Sequence, residues 1–459
     1  MKRLILTTVI VLALASCTKA PSPVYPIPTA EQLAWQKLET YAFIHFGLNT
    51  FNDMEWGYGN TPATTFNPSD LDCDQWVATL KNCGMKGVIL TAKHHDGFCL
   101  WPTKSTDYNI SHSPYKNGEG DIVKELSEAC QKQGLLFGIY CSPWDRNNAR
   151  YAYSEYVATY HQQIQELSNN YGPLFQFWFD GANGGNGYYG GANETRKIDP
   201  DNYYDYQLAK DIVITRNPSA MIFGGTCGTV RWIGNEKGYS APTNWCNETE
   251  NGVQWIPAEV DVSIRPGWFY HQNEDNKVKT VNELCDIYYN SVGHNSNLLL
   301  NFPVAINGKI HPIDSTNAVE FYKTISNELS HNLLSDANVK ADNERGYRFS
   351  ASNVNDNNPE TYWATDDENN FGTITFTMDK PVTMNRVMIQ EYVKLGQRVK
   401  LFYLEGEKDG NWFKINTFDE TTTIGYKRIV RFNPVELDKL MIYFEESRGP
   451  LCISNIEAY

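Results

Sequence analysis

The sequence predicts an α/β fold: a (β/α)8-like barrel over residues 29–333, followed by a C-terminal β-sandwich over residues 334–459. Short, almost wholly apolar runs recur at 41–46, 87–92, 136–141, 174–179, 221–223 and 298–302, and stretches of helical period separate them. This strand-then-helix order extends over about 300 residues, which favours a barrel. A doubly wound sheet would carry a Gly-rich dinucleotide fingerprint after its first strand, and the sequence has none there. Beyond residue 334 the texture changes to alternating strands between Asn, Asp and Gly turns, the pattern of a sandwich.

The elements follow in order. Met1-Lys2-Arg3, an apolar run over 4–15 and Leu14-Ala15-Ser16-Cys17 read as an export signal. The apolar run is too short to span a bilayer, which takes about 20 residues. Leu-Ala-Ser-Cys resembles the lipobox of bacterial lipoproteins, which implies acylation at Cys17 and removal of the signal. Residues 18–28 then form a Pro-containing linker, or stalk. In the barrel, 121–133 is helical, with Ile122, Val123, Leu126 and Ala129 on one face and Gly134 as its stop. Helices are also expected at 149–169, 204–214 and 281–292. A last one, at 317–329, closes the domain with Ala318, Phe321, Ile325 and Leu329. Residues 226–265 read as irregular, so the eight strands are not all assigned. Sandwich strands are expected at 372–378, 384–391, 399–405, 428–432 and 439–444.

Composition bounds the function. A net charge of −15 and a pI near 5.1 argue against nucleic acid or an anionic membrane surface as partner, since phosphate binding needs clustered Lys and Arg. The chain is rich in aromatics, with 28 Tyr, 21 Phe and 12 Trp, which suits pockets that hold the C–H faces of sugars. Nine cysteines follow Cys17 without a CxxC pair, so they are expected as buried free thiols and not as zinc ligands.

A barrel carries its chemistry at the C-terminal ends of its strands. There the sequence places His45 and then Glu55-Trp56, Lys93-His94-His95-Asp96, Tyr140-Cys141-Ser142, and Phe177-Trp178-Phe179-Asp180-Gly181. Asp180 ends an apolar strand in one acid, which makes it a catalytic candidate; the competing reading is a solvated cap of the next element. Adjacent His94 and His95 point to opposite faces of a strand, and no HExxH spacing accompanies them, so no metal is expected.

These motifs, in this order, resemble the retaining exo-α-L-fucosidases. The match comprises Ile44-His45-Phe46-Gly47 with Glu55-Trp56, Lys93-His94-His95-Asp96-Gly97-Phe98, Ile139-Tyr140-Cys141-Ser142, Phe177-Trp178-Phe179-Asp180-Gly181 and Leu299-Leu300-Asn301. The resemblance implies that Asp180 is the nucleophile. It implies that His45, His94, His95, Tyr140 and Trp178 line the fucose pocket, with Glu55 and Trp56 completing it. Imidazoles and a Trp N–H would donate hydrogen bonds to the ring hydroxyls. Retaining glycosidases need a second carboxyl as acid/base. Candidates are Glu236, Glu248, Glu250 and Glu259; Arg231-Trp232-Ile233-Gly234-Asn235-Glu236 resembles the acid/base segment of the subgroup acting on branched α-1,3/1,4-fucosides, with Glu259 the main rival. Pro257-Ala258-Glu259-Val260-Asp261 through Trp268-Phe269-Tyr270 also resembles that subgroup and offers Trp268 as a wall. The Gly/Tyr-rich insert 184–190 is either a loop over the leaving-group side or a solvent loop. In the second domain, Asn357-Asn358-Pro359-Glu360-Thr361-Tyr362-Trp363 and Glu407-Lys408-Asp409-Gly410-Asn411-Trp412 resemble discoidin, or coagulation factor type C, sandwiches.

The expected protein is thus an exported, lipid-tethered hydrolase of terminal α-1,3/1,4-fucose on Lewis-type glycans, without cofactor, facing the periplasm or cell surface. The alternatives are a broad-specificity fucosidase that also cleaves α-1,2 links, a non-catalytic glycan-binding lipoprotein, and a metal-dependent barrel hydrolase using His94 and His95.

Overall fold

The structure, a computed structural model, describes residues 19–459; the export signal and Cys17 lie outside the described residues. Eight parallel strands form the first domain: β1 Thr40–His45, β2 Gly87–Lys93, β3 Leu136–Cys141, β4 Gln176–Trp178, β5 Met221–Phe223, β6 Arg231–Trp232, β7 Ala258–Ser263 and β8 Ser296–Pro303. They run in the order β5-β4-β3-β2-β1-β8-β7-β6, and a single parallel bridge from Phe223 to Val230 draws the two ends together. The barrel is therefore nearly closed. Strands β6 and β7 lie inside the stretch expected to be irregular.

The helices are α1 Ala30–Gln36, α2 Cys73–Asn82, α3 Ile122–Gln133, α4 Ser154–Asn170, α5 Tyr206–Arg216, α6 Val281–Ser291 and α7 Pro312–Glu328, with shorter turns between. Local chemistry sets their ends. Thr29 with Gln32 and Thr280 with Glu283 make capping boxes at α1 and α6, while Gly134 closes α3 at φ 72°. Helix α7 starts five residues before the expected 317, because Pro312 at its first turn is pre-set for helix and lacks only an N–H that would be orphaned there anyway. Helix α1 plugs the barrel base: Trp35 Nε1 donates to Gln176 Oε1 at 2.8 Å, and Asn297 Nδ2 donates to the Trp35 carbonyl at 2.7 Å. No helix follows β5 or β6, so the barrel flank at residues 224–257 lacks a helical cover.

The second domain is antiparallel: β9 Asn338–Ala341, β10 Trp363–Ala364, β11 Gly372–Glu391, β12 Val399–Lys408, β13 Asn411–Lys414, β14 Arg428–Ser447 and β15 Cys452–Ala458. The pairs expected as separate strands at 372–378/384–391 and 428–432/439–444 are single 20-residue strands. Register shifts near Thr377/Val382 and Met384/Arg386 bend them, so each serves two layers of one core. The sandwich is fastened to the barrel by Arg431–Asp286 at 2.8 Å, Lys427–Glu39, and Cys246 N–H to Gln397 Oε1 at 2.7 Å. The segment expected as a stalk lies along the sandwich: Arg345, Arg398 and Arg448 donate to the carbonyls of Lys19, Ser22 and Tyr25 at 2.6, 2.8 and 2.9 Å. All nine described cysteines are free, and seven of them are buried.

Candidate active site

The strand ends converge on a cavity of about 460 Å³. It is lined by Asp180, Glu236, His45, His94, His95, Tyr140, Trp178, Trp56 and Trp268, together with Phe43, Phe223, Trp232 and Asp261. Of the candidates drawn from the sequence, Glu55 and Glu259 are not in this lining, nor are Glu248 and Glu250.

Asp180 stands just beyond β4, where burial ends. Its Oδ2 accepts the Tyr140 hydroxyl at 2.9 Å and its Oδ1 accepts the Ala182 N–H at 2.6 Å, which fixes the plane of the carboxylate. With its side chain 21 % exposed, it remains open to the cavity. His95 Nε2 lies 3.9 Å from Oδ2. Across the cavity, Glu236 sits on the exposed loop after β6, and its Oε2 accepts the Trp268 Nε1–H at 3.1 Å. Lys237 is exposed to solvent.

The three imidazoles differ in what they offer. His45 Nδ1 lies 2.8 Å from Asn301 Oδ1; since the Asn301 amide nitrogen donates to Ser263 and to the Trp268 carbonyl, its oxygen must accept, so His45 carries hydrogen on Nδ1. His95 Nδ1 lies 2.7 Å from Ser142 Oγ, which donates its own hydrogen to the Trp144 carbonyl, so His95 is protonated there too. His94 Nδ1 instead faces the Asn49 amide nitrogen at 3.3 Å and accepts. By this network Nε2 of His45 and His95 is an acceptor, and Nε2–H of His94 a donor. Burial disfavours the charged form of all three: His45 falls to about 3, His94 lies well below its ordinary value, and His95 is lowered despite the pull of Asp180. The pocket thus presents neutral rings. Among the described residues no group of three or more His, Cys, Asp or Glu is arranged to hold a metal.

Three expectations are corrected. Glu259 is fully buried on β7, below the cavity, and binds Gln176 Nε2 at 2.6 Å, Trp178 Nε1 at 2.7 Å and the Tyr41 hydroxyl. It cannot reach a leaving group. Burial raises its pKa against the help of those donors. Replacing it with leucine is expected to cost about 1–3 kcal/mol for each donor left unpaired, seen as a large fall in Tm, whereas Glu259→Gln keeps an acceptor and loses much less.

Trp178, whose N–H was expected to serve the sugar, spends it on Glu259 and lines the cavity by its ring alone, stacked on Phe223 at 3.9 Å. Glu55 stands behind the wall. Its carboxylate accepts the backbone N–H of Trp268 at 2.9 Å and of Phe269 at 3.0 Å, and meets His271 Nε2 at 2.7 Å, while His271 Nδ1 reaches Asp53 at 2.5 Å. Glu55 therefore positions Trp268. Partial burial opposes the His271 charge, but the two carboxylates outweigh it and its pKa is raised. A raised histidine stabilises fully below about 6.5 and loses that contribution as pH rises through the higher folded value. Tm is accordingly expected to decline above neutral pH in the parent and less so in His271→Gln, with KM raised more than kcat is lowered in that variant.

Of the remaining acids, Glu248 is exposed, and Glu250 pairs with Lys400 of the sandwich at 3.1 Å. The 184–190 insert begins a two-stranded ribbon, Gly185–Gly187 paired with Glu194–Arg196, pinned where Arg146 grips Asn186 at 2.8 and 2.9 Å.

Asp261 and Trp232 were not anticipated. Asp261 is 4 % exposed and follows Glu259 by two residues on β7, so both point into the barrel, one layer apart. Trp232 Nε1 donates to Asp261 Oδ1 at 2.7 Å. Burial first, then Glu259 and Glu236, lift the Asp261 pKa well above the usual carboxylate range.

A barrel whose strand ends bring two open carboxyl side chains, Asp180 and Glu236, and a third, buried one, Asp261, into one cavity of neutral imidazoles and aromatic rings defines a glycoside hydrolase. Comparison with known proteins agrees: the alpha-L-fucosidase family model matches residues 22–326 and the F5/8 type C domain model matches residues 337–457. Alpha-L-fucosidase 1 of Arabidopsis thaliana is 37% identical, covering 96% of this chain and 88% of its own. A glycoside hydrolase 29 family member from an unknown rumen bacterium is 43% identical at a TM-score of 0.87, covering 96% of this chain and 78% of that one. A Ruminococcus gnavus GH29 fucosidase solved in complex with fucose is 33% identical at a TM-score of 0.87, with 96% of each chain covered. The chain belongs to the alpha-L-fucosidase family, glycoside hydrolase family 29, and its activity is that of an α-L-fucosidase.

Proposed function

We propose that this protein removes terminal α-1,3/1,4-linked L-fucose from branched, Lewis-type glycans by a retaining double displacement. The observation that carries the reading is the placement of Asp180 and Glu236 in one cavity, the first oriented by two donors and the second on a loop beside Trp268. Asp180 attacks the anomeric carbon while Glu236 gives its proton to the departing glycosidic oxygen, so that a fucosyl ester forms and the C–O bond breaks. Glu236, now ionised, takes a proton from water, and that oxygen displaces Asp180 to release fucose with its anomeric configuration kept. His45 and His95 accept from ring hydroxyls, His94 donates to one, and the apolar faces of Phe43 and Trp268 suit the methyl group of a 6-deoxy sugar. The fucose complex of the Ruminococcus gnavus relative supports the choice of sugar. We further propose that the chain acts as an exported lipoprotein tethered through Cys17 and facing the periplasm.

Side-by-side rates on a Lewis-type trisaccharide, an α-1,2-fucosyl disaccharide and an aryl fucoside test the specificity. Preference for the trisaccharide is expected. Comparable rates on the α-1,2 link would replace this reading with a broad-specificity fucosidase, and turnover of the aryl fucoside alone would remove the branched substrate.

A further inference from the structure

The uncovered flank of the barrel holds a second, larger cavity of about 900 Å³. It lies where no helix follows β5 or β6, between α5, the loop carrying Val253 and Trp255, and the N-terminal segment around Tyr25. It meets the catalytic cavity at Phe223, Gly224 and Trp232, residues that line both.

We propose that this flank groove binds the glycan chain that carries the fucose, with Trp232 at the junction as a platform for the sugar beside the scissile bond and Asp261 holding that platform in place. The inference rests on the fucosidase reading and deepens it: the preferred substrate is a longer fucosylated chain, not an isolated trisaccharide. Four observations support it. The two cavities share a wall, so a chain leaving the catalytic pocket past Trp232 enters the groove directly. The groove lining is polar and aromatic and contains no Asp or Glu; its two cations donate to neutral oxygens, Lys210 to the Cys227 carbonyl at 3.1 Å and Arg231 to Asn244 Oδ1 at 2.5 Å, so the surface offers rings and hydrogen-bond donors, which suit the C–H faces and hydroxyls of a glycan. The Trp232 ring is 47 % exposed yet its N–H is tied to a buried acid, which keeps a flat apolar face in one place at the entrance. The groove volume stands at the upper end of the ~300–1,000 Å³ that takes a whole drug-sized ligand, which leaves room for more than one sugar ring.

Remote binding of this kind raises kcat/KM for the longer substrate without touching the chemistry of a small one. The test compares an aryl fucoside, a Lewis-type trisaccharide and a pentasaccharide carrying the same fucosylated branch on a chain extended at its reducing end. The parent enzyme is expected to favour the pentasaccharide over the trisaccharide by about tenfold in kcat/KM. Thr226→Trp and Val253→Trp, each filling the groove from an exposed position on a different wall, are expected to bring that ratio to about one, with aryl fucoside turnover within about twofold of the parent. Trp232→Ala is expected to raise KM for both oligosaccharides. Equal kcat/KM for the two oligosaccharides in the parent overturns the groove while leaving the fucosidase reading intact, as does a length preference that survives both filling variants. Absence of turnover on all three substrates overturns the function and the groove together.

Discussion

Asp180→Ala is expected to lower kcat on a Lewis-type trisaccharide by about 10⁴-fold or more, as the loss of a nucleophile does elsewhere, with Tm close to that of the parent. The carboxylate is partly open to the cavity, so water can take its place beside the Tyr140 hydroxyl and the Ala182 N–H that its removal leaves. What disappears is the group that forms the fucosyl ester. Azide added to this variant should enter from the vacated side and restore turnover of an aryl fucoside, giving the β-fucosyl azide by a single inversion. A variant that keeps a tenth of the parent activity, or one that azide converts to the α-azide, would remove Asp180 from this role.

Glu236→Ala is expected to cost about 10² to 10⁴-fold on the trisaccharide, the range of general acid–base assistance. The loss on an aryl fucoside with a good leaving group should be far smaller, because such a group departs without a proton. Here azide meets an intact Asp180 ester and gives the α-fucosyl azide after two inversions. The opposite anomers from the two variants separate nucleophile from acid/base by product, a readout that a folding defect in either variant cannot imitate. Equal losses on both substrates would point to a structural role for Glu236 through its bond to Trp268.

Much of the barrel was legible because parallel strands buried on both faces are apolar along their length: β1, β2, β3, β4, β5 and β8 lie within two residues of the expected runs. Strand β7 escaped because it is not apolar. Glu259 and Asp261 alternate with Val260 and Val262, a period of two that places polar side chains inside the barrel and hydrophobic ones against its outer layer. That alternation was the available signal for Asp261. Strand β6, two residues long, carries no periodicity at all.

The site candidates were recoverable from their positions after strands, but their partners were not. That Trp178 turns its N–H to Glu259, and that Glu55 serves the Trp268 backbone, depends on contacts 81 and 213 residues apart in the chain. The same holds for the imidazoles: His45, His94 and His95 look alike in sequence, and only Asn301, Asn49 and Ser142 decide which of them accept and which donates. In the sandwich, the bent strands β11 and β14 read as two strands each because the residues at their bends, near Asp379 and Asn433, interrupt the apolar alternation without ending the ladder.

The most direct test follows the anomer of fucose released from a Lewis-type trisaccharide by proton NMR, recorded faster than mutarotation. Retention predicts that α-L-fucose appears first and that the β-anomer grows in later. First appearance of the β-anomer would contradict the double displacement through Asp180 and require a single attack by water instead.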